Sequence, residues 1–291
     1  MAGGLWSDVN AWDEAGREIA SGIEDRAIGS NSVEYVPRDV WLIELTGGPG
    51  TECDTCTDYT YDDVVSKHWT ALVGGVLKMT NRGVASYVGH SNGGRVALDA
   101  ISNYNSIKNN VNYLSDGTSY TLPNTNPIIN YIGVGVPGAF STASLFTKNI
   151  DNGKGDKIIA DFISQSKSHI RLAEIGTKLR TVPGRFISAI NVFDQLKISK
   201  NMLGTYIYYG NSSLDQQPGI GVSITKAMLI YGTSDFDTTM DSDIIVPVSD
   251  VQAIYSNIIS ANKKIDTTST THIGQITDNQ IKTKIKKRLN E

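Results

Sequence analysis

Short apolar runs along the chain are separated by longer stretches in which apolar residues recur at helical spacing. Asp39-Val40-Trp41-Leu42-Ile43-Glu44-Leu45, Val84-Ala85-Ser86-Tyr87-Val88, Ile128-Ile129-Asn130-Tyr131-Ile132-Gly133-Val134-Gly135-Val136-Pro137 and Ala227-Met228-Leu229-Ile230-Tyr231-Gly232 read as buried strands. Each is too short for a stable helix and is bounded by glycine, proline or polar residues. Lys263 to Asp266 reads as a short last strand. Amphipathic helices are expected from about Tyr61 to Thr80, after Ser91 to about Tyr104, from Val248 to Ile259 and from Gln275 to Leu289, the last one basic. Near the start, Asp8 or Asn10 is placed to cap a helix carrying Trp12, Ala15, Ile19, Ala20 and Ile23. The polar, turn-rich stretch Asn105 to Asn126 is expected to be an exposed excursion. Strands alternating with helices predict a mostly parallel sheet covered on both faces.

The interval 138–226 is far longer than a connection between strand and helix needs. Ile158, Ile159, Phe162 and Ile163, then Ile170, Leu172, Ile175 and Leu179, give it helical periodicity. The pattern divides the chain into an α/β core, 1–137 with 227–291, and a mainly helical insertion, 138–226. Asp151-Asn152-Gly153-Lys154-Gly155-Asp156 lacks the ligand spacing of a calcium loop and reads as a turn. Thr205-Tyr206-Ile207-Tyr208-Tyr209 suits either a pocket wall or a strand.

Composition narrows the function classes only a little. The 291 residues are 40% hydrophobic and 19% charged, with a formal net charge of −4. That balance offers no electrostatic case for nucleic acid or an anionic membrane surface. No apolar run reaches the roughly 18 residues of a membrane span, and Met1 to Asn10 has neither the basic start nor the apolar core of a signal peptide. The two cysteines, Cys53 and Cys56, make no disulfide framework. They read as a local bridge or two free thiols in a loop, ahead of a redox pair or a zinc site. Localisation and oligomeric state are not indicated.

The chemistry is concentrated in Gly89-His90-Ser91-Asn92-Gly93-Gly94, between a strand and a helix. A serine on so sharp a turn takes a strained backbone, and its neighbours two residues away on either side must be nearly without side chains. Gly89 and Gly93 meet that need, and Gly94 lets the helix pack close to the sheet. The helix N-terminus directs free N–H groups at an oxyanion formed on a substrate at Ser91. This stretch resembles the nucleophile turn of the α/β-hydrolase family, in the GHSxGG form typical of lipases and esterases.

The resemblance implies an α/β-hydrolase fold, an insertion serving as a cap over the nucleophile, and triad partners in the order Ser, Asp or Glu, His. Of the chain's four histidines, His68 and His90 precede Ser91 and His169 lies in the insertion, which leaves His272 as the base. For the acid, Asp243-Ile244-Ile245-Val246-Pro247 resembles the family's D-x-x-V-P turn, while Asp235 competes just past the strand end. One oxyanion donor is expected from the Asn92 backbone N–H. The second has two candidate sources. Thr46-Gly47-Gly48-Pro49-Gly50 resembles the HGGPG loop of proline iminopeptidases and would nominate Gly48. The favoured alignment assigns 39–50 to a later strand, so that the oxyanion loop survives as Gly3-Gly4-Leu5, nominating Gly4 and Leu5, and its preceding strand is missing. The chain would then be a piece trimmed from a longer protein, such as a secreted or surface one, or would begin late for another reason.

The activity implied is hydrolysis of carboxylic esters, from small esters to lipids or polyesters, through an acyl-enzyme with no metal or organic cofactor. Amide or peptide hydrolysis, acyl transfer, and a non-catalytic domain of a larger protein are the alternatives.

Overall fold

In the computed structural model, residues 1–3, 9–21, 23–26, 33–36, 38–45, 61–138, 217–233, 243, 246, 248–272 and 274–291 are described. In chain order, a 3-10 turn (Val9–Trp12) leads into α1 (Asp13–Ala20), followed by the antiparallel hairpin of β1 (Ile23–Arg26) and β2 (Val33–Val36). Next come α2 (Tyr61–Asp63), a π-helical stretch (Val64–His68) and α3 (Trp69–Thr80), then β3 (Ala85–His90) and α4 (Asn92–Ser102). After α5 (Tyr104–Ile107) and a two-stranded hairpin of β4 (Asn112–Tyr113) with β5 (Ser119–Tyr120) lies β6 (Ile128–Val134). The second half holds β7 (Lys226–Gly232), α6 (Val248–Asn257), β8 (Asn262–Thr268), α7 (Gly274–Thr277) and α8 (Asn279–Asn290).

The strands β3, β6, β7 and β8 form a sheet in that order, with every pairing parallel. Successive side chains of a strand point to opposite faces, and the core divides accordingly. Tyr87, Tyr131 and Leu229 pack on one face with Trp69 of α3, Val96 and Ala97 of α4 and Ile254 of α6. Val88, Ile132, Met228 and Ile230 pack on the other with Trp12, Ile19 of α1 and Ile281 and Ile285 of α8. Helices thus cover both faces, as the alternating pattern predicts. Asp278 fixes the start of α8 by accepting the Ile281 N–H at 2.9 Å, the bond an N-cap supplies.

The stretch Asn105 to Asn126 is largely exposed, as expected, and is anchored by buried Ile107 and Leu122 and by the Tyr120 hydroxyl, which donates to the Ala71 carbonyl at 2.8 Å. Gly74 leaves room for this, since an added Cβ would stand 2.9 Å from the Tyr120 ring. A strand was expected to be missing ahead of the Gly3-Gly4-Leu5 loop, yet Ala2 takes a strand's place beside β3. The Ala2 N–H donates to the Val88 carbonyl at 2.8 Å, and the His90 N–H donates to the Ala2 carbonyl at 3.0 Å. On its other side the Ile43 N–H donates to the Met1 carbonyl at 2.9 Å. Ala2 therefore bridges in parallel to both Gly89 and Ile43, extending the sheet beyond β3. Too short to carry a periodic signal, this segment is specified by its two neighbours. In 38–45, where a full buried strand was expected, only Ile43 makes a bridge among the described residues.

Candidate active site

Ser91 occupies the turn between β3 and α4 with φ 52° and ψ −126°. Side-chain-bearing residues seldom adopt a positive φ, and it persists here because the surroundings enforce it. The Ser91 N–H donates to the Val134 carbonyl at 2.8 Å, and the Ser91 carbonyl accepts from the Gly94 and Arg95 N–H groups at 3.1 Å each. A Cβ added at Gly89 would stand 2.5 Å from the Gly94 Cα, so strand and helix approach too closely for any side chain there. At Gly93 an added Cβ would collide with the Gly3 carbonyl and come within 2.9 Å of the Ala2 carbonyl. The first turn of α4 is further held by the Tyr87 hydroxyl, donating to the Gly93 carbonyl at 2.9 Å, and the Tyr131 hydroxyl, donating to the Gly94 carbonyl at 3.0 Å. Burial pushes both phenols above their ordinary range, so they stay protonated donors.

Asn92 is the first residue of α4. The first N–H groups of a helix have no intrahelical acceptor, which leaves the donor next to Ser91 free to serve an oxyanion. Residues 1–3 run beside this turn, as the close approach of Gly3 to Gly93 shows. Gly4, Leu5 and Gly48 lie outside the described residues.

Asp243 and His272 meet at the same edge of the sheet. The His272 Nδ1–H donates to Asp243 Oδ2 at 2.7 Å, and the His272 backbone N–H donates to the Asp243 carbonyl at 2.8 Å. Asp243 Oδ1 accepts the Val246 N–H at 2.7 Å. Oδ2 also accepts the Gln275 Nε2–H at 2.8 Å. Asp243, His272 and Gln275 are all buried. A histidine whose Nδ1–H is held by a carboxylate carries its free lone pair on Nε2, the state a general base needs.

Gly135 and His90 tie this pair to the serine turn. Gly135 follows Val134, the acceptor of the Ser91 N–H, and has φ 55°; an added Cβ there would lie 3.0 Å from both Asp243 Oδ2 and His272 Nδ1. His90, adjacent to Ser91, donates its Nε2–H to the His272 carbonyl at 2.8 Å, and the two imidazole centroids are 4.6 Å apart. Burial, with His272 alongside, drives the His90 imidazole well below its ordinary value, so it stays neutral. The ends of β3, β6 and β7 thus deliver Ser91, Gly135 and the Asp243 turn to one edge, where open α/β sheets bind ligands.

Of the sequence-derived candidates, the structure brings Asp243 and His272 into contact and sets them beside the Ser91 turn with Asn92. Asp235, Cys53, Cys56, the 151–156 turn, the 205–209 segment and residues 139–216 of the expected cap lie outside the described residues. Sequence reasoning missed Gln275, whose part is a hydrogen bond to the Asp243 carboxylate. It also passed over His90, which was seen only as a histidine too early in the chain to be the base. Among the described residues no helix is long and apolar enough to cross a membrane.

No family model matches the chain, and no curated protein matches it. Solved structures do. An enol-lactonase from Burkholderia xenovorans LB400 superposes with a TM-score of 0.52 at 10% identity, over 100% of this chain and 90% of the other. A lipase-esterase related protein from Clostridium acetobutylicum ATCC 824 gives 0.50 at 10% identity, over 98% and 91%. A membrane phospholipase A gives 0.51 at 9% identity, over 99% and 77%. With its parallel sheet, its helices on both faces and its serine on the strand-to-helix turn, the chain has the α/β-hydrolase fold.

Proposed function

We propose that the chain is a serine hydrolase of carboxylic esters, with Ser91 as nucleophile, His272 as base and Asp243 as the acid that orients it. The observation that carries this reading is the buried 2.7 Å bond between His272 Nδ1 and Asp243 Oδ2, beside a serine held at positive φ. A serine hydroxyl is a weak nucleophile until a base takes its proton. In the reaction proposed, His272 Nε2 takes that proton as Ser91 Oγ adds to the ester carbonyl. The oxyanion is met by the Asn92 N–H, with Gly4 or Leu5 proposed for the second donor. His272 then returns the proton to the alkoxide leaving group, and an acyl-Ser91 forms. Water, deprotonated by the same imidazole, releases the acid.

Hydrolysis of p-nitrophenyl acetate and longer p-nitrophenyl esters by the wild type and by Ser91→Ala tests the proposal. The expected result is turnover in the wild type and only background in the variant. Equal rates in the two proteins would leave a non-catalytic domain as the better reading.

A further inference from the structure

We infer that Gln275 is a positioning residue that holds the Asp243 carboxylate aimed at His272. This inference rests on the serine-hydrolase reading above and adds a member to its machinery. Gln275 lies on α7 and is fully buried. Its Nε2–H donates to Asp243 Oδ2 at 2.8 Å, the same oxygen that receives the His272 Nδ1–H at 2.7 Å. Its other end, Oε1, has no hydrogen-bond partner among the described residues. A buried amide with one end unsatisfied is costly, and an apolar side chain of similar size would avoid that cost.

Gln275 therefore sits at a stability cost whose visible return is a second donor on the carboxylate. The backbone is shaped to admit it. A Cβ at Gly135, where φ is 55°, would strike Gln275 Oε1, and one at Gly232 would stand 2.5 Å from Gln275 Nε2 and 2.6 Å from the Asp243 Cβ. Both glycines end central strands of the sheet and leave the space that amide and carboxylate share.

The orientation of the amide carries chemical information. With Nε2 toward Oδ2 the contact favours an ionised carboxylate, whereas the flipped amide would set two acceptors against each other. Two donors converging on Oδ2, with Val246 N–H on Oδ1, fix the carboxylate plane and with it the imidazole. The titratable groups packed around this carboxylate and its imidazole partner include His90, whose ring centroid lies 4.6 Å from that of His272. His90 is held neutral by burial and contributes no charge.

The test uses Gln275→Leu and Gln275→Met, with Ser91→Ala as the control for the underlying reading. Removing one hydrogen bond to a charged acceptor should lower kcat about tenfold with little change in KM. The acidic limb of the kcat/KM profile is read alongside, since a residue that only packs would leave it unmoved. Thermal stability should hold or rise, because an unsatisfied buried amide is gone. A lowered Tm with kcat and the acidic limb both unchanged would overturn the inference, leaving Gln275 a packing residue. If Ser91→Ala hydrolyses ester as fast as the wild type, the serine-hydrolase reading itself fails. If Ser91→Ala is inactive while the Gln275 variants match the wild type in kcat and pH profile, only the role of Gln275 fails.

Discussion

Replacing Asp243 by asparagine removes a charge while keeping the shape, and the surroundings allow the outcome to be worked through. In the native site Oδ1 accepts the Val246 N–H at 2.7 Å, while Oδ2 accepts both the His272 Nδ1–H and the Gln275 Nε2–H. An asparagine has one acceptor oxygen and one donor nitrogen for those positions. If its oxygen stays on Val246, its NH2 group faces two donors. His272 can relieve this only by moving its proton to Nε2, the atom required to take the Ser91 proton. If the amide turns over, the imidazole keeps its tautomer, but a donor is pressed against the buried Val246 N–H, at a cost of about 1–3 kcal/mol. Either way the imidazolium formed during the reaction loses its counter-charge.

In a serine protease triad the same exchange lowers kcat by about 10⁴ through the wrong tautomer, and a loss of that order is expected for Asp243→Asn. The assay is p-nitrophenyl ester hydrolysis, with a thermal melt to confirm folding and Asp235→Asn as the comparison. Asp235→Asn should cost far less. Retention of more than about a tenth of the activity in Asp243→Asn, against the 10⁴-fold loss expected of a triad acid, would refute the reasoning. So would an equal or larger loss in Asp235→Asn.

Burial of His90 predicts a pH dependence of stability. Its folded-state value lies well below the ordinary 6.5, so below pH 6.5 the unfolded chain binds a proton that the native state refuses. This contribution is complete above that value and is lost as pH falls, by up to about 1.4 kcal/mol per unit. His90→Gln should therefore lose less Tm than the wild type between about pH 7.5 and 5, and an identical slope in the two proteins would contradict it. The buried ion pair of Arg95 Nε with Asp99 Oδ2, at 2.7 Å, is accompanied by the Arg95 Nη1–H bond to the Gly138 carbonyl at 2.5 Å. Asp99→Leu alone leaves a buried guanidinium and should cost about 3–5 kcal/mol in urea unfolding, whereas Arg95→Met with Asp99→Leu should cost much less.

Much of this architecture was legible because it rests on local pattern. Runs such as Ala227 to Gly232 declare themselves as strands by apolar content and bounded length, and Gly89-His90-Ser91-Asn92-Gly93-Gly94 declares its turn by the side chains it cannot have. Residues 1–3 were not legible as a strand. Three residues hold no periodicity, and the two flanking partners that order them are separated from them in sequence. The docking of Tyr120 against Gly74 was hidden for the same reason, since it depends on a contact between distant segments. At the site, order along the chain pointed to His272, and the D-x-x-V pattern favoured Asp243. Gln275 and His90 escaped notice because their part consists of hydrogen bonds to other site residues, which leave no spacing rule in the sequence.

The central claim is that Ser91 becomes acylated with His272 as its base. A fluorophosphonate that traps activated serines, read by intact mass and peptide mapping, tests it most directly. The account predicts a single adduct on Ser91, absent in Ser91→Ala and strongly slowed in His272→Ala. No adduct on the folded wild type, or labelling at Ser91 that proceeds equally fast without His272, would contradict it.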